Sequence, residues 1–143
     1  MIRRLLFTAA LGLAVLGSGC AVNRATATVD PSLNWDAVKT LHVKKLDADD
    51  RGIHTLIADK LRARGFATTA DPQPSPQVDA VVTYADRWMW DLTMYMLELT
   101  VTVRDPKSDF PLATGNSLHT SLSRKSPKEM VDEVIDNILK GRK

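Results

Sequence analysis

The stretch from Asp79 to Arg104 restricts this chain more than any other, because it reads as two long strands that must lie against each other. Val81-Val82-Thr83-Tyr84 opens a run that continues through Trp90, Asp91-Leu92 turns it, and Met94 to Arg104 returns. Successive side chains of a strand point to opposite faces. With the turn centred between Asp91 and Leu92, Trp88 opposes Tyr95, Tyr84 opposes Leu99 and Val82 opposes Val101. These residues share one apolar face with Trp90, Leu97 and Val103. The other face gathers Thr83, Thr100, Ala85, Glu98, Arg87, Met96, Met89 and Met94. Any turn of even length keeps this sorting, since a slip of one residue carries every side chain to the opposite face. Asp86 interrupts the apolar face, so a bulge is expected beside it. A hairpin with one apolar face is not stable alone in water and needs a second layer.

Two amphipathic segments supply that layer. The acids Asp47, Asp49 and Asp50 precede a stripe of Ile53, Leu56, Ile57, Ala58 and Leu61. Acids suit the positive end of a helix, and Lys60, Arg62 and Arg64 stand near its negative end. Gly65 is placed to end it in the left-handed conformation. The second helix opens with Ser126-Pro127-Lys128-Glu129, which combines an N-cap serine, proline at the first helical position and glutamate three residues after the cap. Met130, Val131, Val134, Ile135, Ile138 and Leu139 form its stripe, and Gly141 ends it.

The remaining elements are shorter. Val38 to Leu46 reads as a first strand with Leu41 and Val43 on one face, and Phe66 to Thr69 as a short edge strand. The three prolines of Asp71–Gln77 make a surface loop, since proline removes a donor and fixes φ. After an Asp105–Pro111 turn, Leu112–Ser123 forms a hydroxyl-rich strand with Leu118 and Leu122 inward and Gly115 at a bulge. The fold class is therefore α+β: a mostly antiparallel sheet of four to five strands with two amphipathic helices on one face, in the order β-α-(β)-β-β-β-α. The first strand and Val81–Tyr84 run parallel through a right-handed crossover.

The amino terminus carries an address. Arg3 and Arg4 precede an apolar run from Leu5 to Leu16, followed by Gly17-Ser18-Gly19-Cys20-Ala21. A basic start, a short apolar run and small residues before a cleavage point define a secretory signal. The apolar run falls well short of the roughly 20 residues a spanning helix needs. Cys20, the only cysteine, would become the first residue after cleavage, as in the bacterial lipoprotein signal, where it receives a diacylglycerol. Gly17 stands where that signal usually has a large aliphatic residue, and a plain secretory signal without lipidation is the alternative. The chain divides into a signal peptide over 1–19, lipidated Cys20 with a tether over 20–36, and a single α+β domain over 37–143.

With Cys20 acylated, no thiol remains for disulfides, redox pairs or cysteine-based zinc sites. The chain has 19 basic and 17 acidic residues, and the signal removes Arg3 and Arg4 without any acid. The mature balance is near zero, which argues against nucleic acid as a partner. His42, His54 and His119 lie on three different elements without ligand spacing, so no metal is expected. Ser121 and Ser123 beside His119 do not form a nucleophile elbow, and no glycine-rich phosphate loop is present. The expectation is a protein that is not an enzyme, with no catalytic residue and no cofactor. The feature most like a site is the group Trp88, Met89, Trp90, Met94 and Met96 at the hairpin tip. On one reading these residues form an adaptable apolar patch for a partner or lipid. On the other, the rings complete the core and the methionines meet an edge, the tether or a second subunit.

Several segments taken together resemble a group of small bacterial lipoproteins of unknown function. They are Ile57…Leu61-Arg62-Ala63-Arg64-Gly65-Phe66, Val78-Asp79-Ala80-Val81-Val82-Thr83-Tyr84, Leu97–Asp105, Ala113-Thr114-Gly115 and the closing helix. The resemblance covers about residues 37–140. The sheet-with-two-helices plan is also similar to the lipopolysaccharide-assembly lipoprotein and to the amino-terminal domain of the periplasmic protein of the Tol–Pal system. What this implies is an accessory domain of the cell envelope that binds a protein or glycolipid, and it carries no catalytic residue over. Ala21, where inner-membrane lipoproteins carry aspartate, implies an outer-membrane lipoprotein facing the periplasm, with the inner membrane or secretion as alternatives. The rival functions are a structural or oligomeric envelope component, and a small hydrolase or metal-dependent enzyme.

Overall fold

Burial of the long hairpin's apolar face organises the molecule. The computed structural model describes residues 21–70 and 77–142; the signal over 1–19, Cys20 and most of the proline-rich loop lie outside the described residues. The elements are β1 (Asn23–Val29), β2 (Thr40–Val43), α1 (Ile53–Ala63), β3 (Ala67–Thr69), β4 (Ala80–Asp91), β5 (Thr93–Arg104), β6 (Pro111–His119) and α2 (Pro127–Ile138). Single 3-10 turns stand at Trp35–Ala37 and Ser121–Ser123. The strands form one six-stranded sheet in the order β1-β6-β5-β4-β2-β3. Neighbours from β1 to β4 are antiparallel, while β2 runs parallel to both β4 and β3. The α+β class and the parallel β2–β4 pairing follow the sequence, but the sheet is larger and more mixed than the four to five strands expected.

The extra strand is β1, within the segment expected to be a tether. Its residues Asn23-Arg24-Ala25-Thr26-Ala27-Thr28-Val29 pair in full register with β6, from Asn23 opposite His119 to Val29 opposite Ala113. Threonine and valine favour extended backbone, yet nearly every residue of β1 is exposed. An edge strand buried on neither face carries no hydrophobic alternation, which is why the sequence resembles a linker there.

In the hairpin, Val82 opposes Val103 and Tyr84 opposes Val101, a shift of two residues from the expected pairing. An even shift preserves the faces, so Val82, Tyr84, Leu99, Val101 and Val103 are all buried together as expected. The register then breaks between Arg87 and Trp88, next to Asp86: Arg87 opposes Glu98, but Trp88 opposes Met96. Leu97 is the extra residue, and beyond it the faces of β5 exchange. Met96 turns into the core beside Trp88, Tyr95 is buried on the opposite face outside the core cluster, and Met94 pairs with Trp90. The expected separation of methionines from aromatics on opposite faces is therefore not observed.

Helix α1 starts after Gly52, which adopts φ 73°. Its first free N–H groups are capped by Asp49, which accepts from Ile53 N at 3.2 Å and His54 N at 3.0 Å. Gly65, at φ 91°, follows its last turn as expected. Helix α2 has the full capping box: Ser126 Oγ accepts from Glu129 N and the Glu129 carboxylate accepts from Ser126 N. Ile53, Ile57, Ala58 and Leu61 from α1 and Met130, Val131, Val134, Ile135 and Ile138 from α2 pack into one core with the sheet. Strand β6 takes the phase opposite to the expected one. Ala113, Gly115, Ser117 and His119 face inward and are buried, Leu118 is half-buried and Leu122 is exposed. Gly115 marks a close approach and no bulge: a Cβ there would lie 2.8 Å from Ile138 Cγ1 and 2.9 Å from Val134 Cγ1.

Candidate functional site

Two polar clusters carry the residue types of chemistry, and both are largely buried. The first centres on Asp49, whose side chain is fully buried. Tyr84 Oη donates to it at 2.7 Å, His54 Nδ1 lies at 2.9 Å, and the α1 amides supply the rest. Burial pushes this carboxyl upward, but the donors outweigh burial and hold it well below the usual carboxylate range. The Tyr84 hydroxyl is driven above its ordinary value by burial first, and by the neighbouring Asp49 carboxylate. This cluster ties β4 to the start of α1.

The second cluster centres on Glu133 of α2. Ser117 Oγ, His119 Nε2 and Lys125 Nζ each lie 2.7 Å from its carboxylate oxygens. Burial again works to raise its pKa, and the three partners together bring it down to about 2. Serine, histidine and glutamate meet here, but glutamate stands in the middle, whereas a nucleophilic triad requires histidine between serine and acid. Ser117 and His119 are both fully buried, out of reach of a substrate. The third histidine, His42, is buried against Thr69. The three histidines thus sit apart, and no group of three potential metal ligands occurs among the described residues. A depression of about 420 Å³ beside β3 is lined by Leu41, Phe66, Val78 and Arg62 among others, and the Arg62 Nε already donates to the Thr68 carbonyl.

The exposed surface is different in character at the hairpin tip. Trp90 is 71% exposed and Leu92, at the apex, 88%, with Met89 and Met94 about half exposed. Of the five residues singled out in sequence, Met89, Trp90 and Met94 are exposed at the tip, Trp90 and Met94 as a cross-strand pair on one face and Met89 on the other. Trp88 is half-buried against the core, with the Arg51 guanidinium 4.3 Å above its ring, and Met96 is fully buried. Cys20 lies outside the described residues. Leu92 and Leu122 are exposed too, although the sequence pattern reads the first as a turn residue and the second as an inward one. The available signal was a leucine at a turn position where glycine or asparagine is the usual choice.

Arg124 fastens the tip to the loop after β6. It donates to Thr93 Oγ1 at 2.8 Å and to the Ser121 carbonyl at 3.0 Å, and its guanidinium lies 4.7 Å from the Tyr95 ring centre. Asp91 accepts from Ser121 Oγ and lies 3.8 Å from the same guanidinium. The first described residues join this end as well. Val22 N donates to Thr120 Oγ1 at 3.0 Å, and the Val22 carbonyl accepts from Ser123 Oγ at 2.6 Å.

No protein-family model and no curated protein matches the sequence. Among solved structures the chain is similar to PelC from Paraburkholderia phytofirmans, solved as a dodecamer, with a TM-score of 0.57 and 19% identity over 82% of this chain and 95% of that one. A PDZ domain protein from Parabacteroides distasonis aligns with a TM-score of 0.50 and 11% identity, over 91% of this chain and 38% of that one. TolB from Acinetobacter baumannii aligns with a TM-score of 0.48 and 14% identity, over 84% of this chain and 32% of that one. At these identities the likeness to the first two is one of fold.

Proposed function

We propose that the chain is a lipid-anchored protein of the bacterial envelope, held at the outer membrane and facing the periplasm, whose domain binds a protein or glycolipid partner and performs no catalysis. The observation that carries this reading is the run from Arg3 to Cys20, followed so closely by an ordered strand beginning at Asn23. An acyl group on Cys20 would hold the folded domain directly at a bilayer, and several acyl chains together make such anchoring firm. Against catalysis stands the burial of Asp49, Ser117 and His119, whose hydrogen bonds are spent on joining elements. The neutral mature balance fits a partner other than nucleic acid, and the reading needs neither cofactor nor metal.

A second reading, an oligomeric structural component, draws support from PelC, which matches nearly its whole length and was solved as a dodecamer. Growth with labelled palmitate tests the first reading. Label is expected on the wild-type chain in the outer-membrane fraction and absent from Cys20→Ser; an unlabelled wild type that is still processed and membrane-bound overturns it. Light scattering on the detergent-purified chain tests the second, with a discrete multimer expected if copies assemble.

A further inference from the structure

We infer that the β4–β5 hairpin tip is a second membrane contact: Trp90, Leu92, Met89 and Met94, with Leu122, seat in the headgroup layer of the bilayer that holds the lipid on Cys20. This rests on the anchored reading above.

Three observations converge on it. First, exposed apolar residues are concentrated at one end of the molecule. Among the described residues the exposed large hydrophobics are Val22, Val29, Met89, Trp90, Leu92, Met94, Phe110 and Leu122. All but Val29 and Phe110 belong to the tip, the loop bonded to it, or the residue pinned to that loop. A patch of this kind marks an interaction surface. Second, Leu92 is not where folding alone would put a leucine. It holds φ 57°, a conformation that glycine or asparagine adopts at lower cost, and its side chain is almost wholly in solvent. Neither backbone preference nor burial accounts for it, so its apolar side chain is there to be covered.

Third, the path of the chain selects the occupant. Val22 is fastened to Thr120 and Ser123, on either side of Leu122. In the sequence only two peptide links, each spanning about 3.8 Å between Cα atoms, separate the acylated residue from Val22. A lipid on Cys20 therefore enters the bilayer close to the tip, because the strand that begins at Asn23 takes up the chain almost at once. Charge is compatible with this placement, because Asp91, the acid at the tip, is engaged by Ser121 and Arg124. Tryptophan is the residue most at home at a membrane–water interface, where the ring is apolar and its N–H stays wet.

The test uses the lipidated full chain reconstituted in phosphatidylethanolamine/phosphatidylglycerol vesicles, with or without acyl chains brominated near the headgroup. Bromine quenches tryptophan only on close approach. Trp35 is buried and Trp88 half-buried, so Trp90 dominates the readout. The expected result is bromolipid quenching that Trp90→Phe abolishes and that Leu92→Asn, which tolerates the left-handed turn, weakens. Vesicle flotation and the mass of the Cys20 peptide report the anchor separately. Protein that floats with its acyl group intact while Trp90 stays unquenched overturns the inference and leaves the anchored reading standing. A chain without an acyl group overturns the anchored reading, and quenching after adding that chain to the same vesicles still decides the tip. Light scattering that shows self-association lost in Leu92→Asn, with no bromolipid quenching, assigns the tip to a second copy and overturns the membrane contact.

Discussion

Replacing Glu133 by glutamine asks whether the contact between α2 and β6 is held by a charge. The carboxylate is only 20% exposed, and it meets an ammonium, an imidazole and a hydroxyl, each at 2.7 Å. Burial opposes ionisation, the three partners favour it more strongly, and the group titrates at about 2 in place of its ordinary 4.5. Because the folded pKa lies below the unfolded one, the stabilisation is complete above about pH 4.5 and disappears as pH falls through about 2. At about 1.4 kcal/mol per pH unit the shift amounts to roughly 3 kcal/mol. The assay is urea unfolding of wild type and Glu133→Gln at a series of pH values. The variant is expected to be less stable by about 3 kcal/mol near neutrality, with the gap closing steadily as the pH is lowered toward about 2. Other carboxylates titrate in the same range, so the difference between the two proteins carries the result and neither curve alone does. A gap that stays constant across the series refutes the argument, because lost packing or a lost neutral hydrogen bond has no such pH dependence.

Two further substitutions address the fold. Gly115→Ala places a methyl group against Ile138 and Val134, and is expected to lower stability by about 1–3 kcal/mol through overpacking, read from the thermal or urea midpoint. Leu92→Asn relieves an unfavourable backbone conformation and is expected to raise stability by a few tenths to about 1 kcal/mol in solution. A fall in the Leu92→Asn midpoint would show that the apex leucine supports the fold and is not held in reserve for a contact.

Local chemistry determined a good part of this protein. The Ser126–Glu129 capping box and the Gly65 stop act through atoms a few residues away, so the helices were legible without the rest of the chain. The core side of the hairpin was legible too, because the pleat alternates whatever the register and an even error preserves it. The tertiary structure decided three matters that have no local signature. The extra Leu97 in β5 exchanged the faces of that strand at the tip, burying Met96, while Trp90 and Met94 on the same face lie beyond the core and stay exposed. The approach of α2 chose the inward side of β6, where serine, glycine and histidine gave no hydrophobic phase and Gly115 admits the helix. Pairing with β6 made a strand of residues that resemble a linker, and so brought the first described residues to the same end as the exposed tip. Periodicity and caps act over a single turn or pleat and are written in the residues that make them. Bulges, edges and close approaches depend on which neighbour arrives, and only the assembled sheet supplies the neighbour.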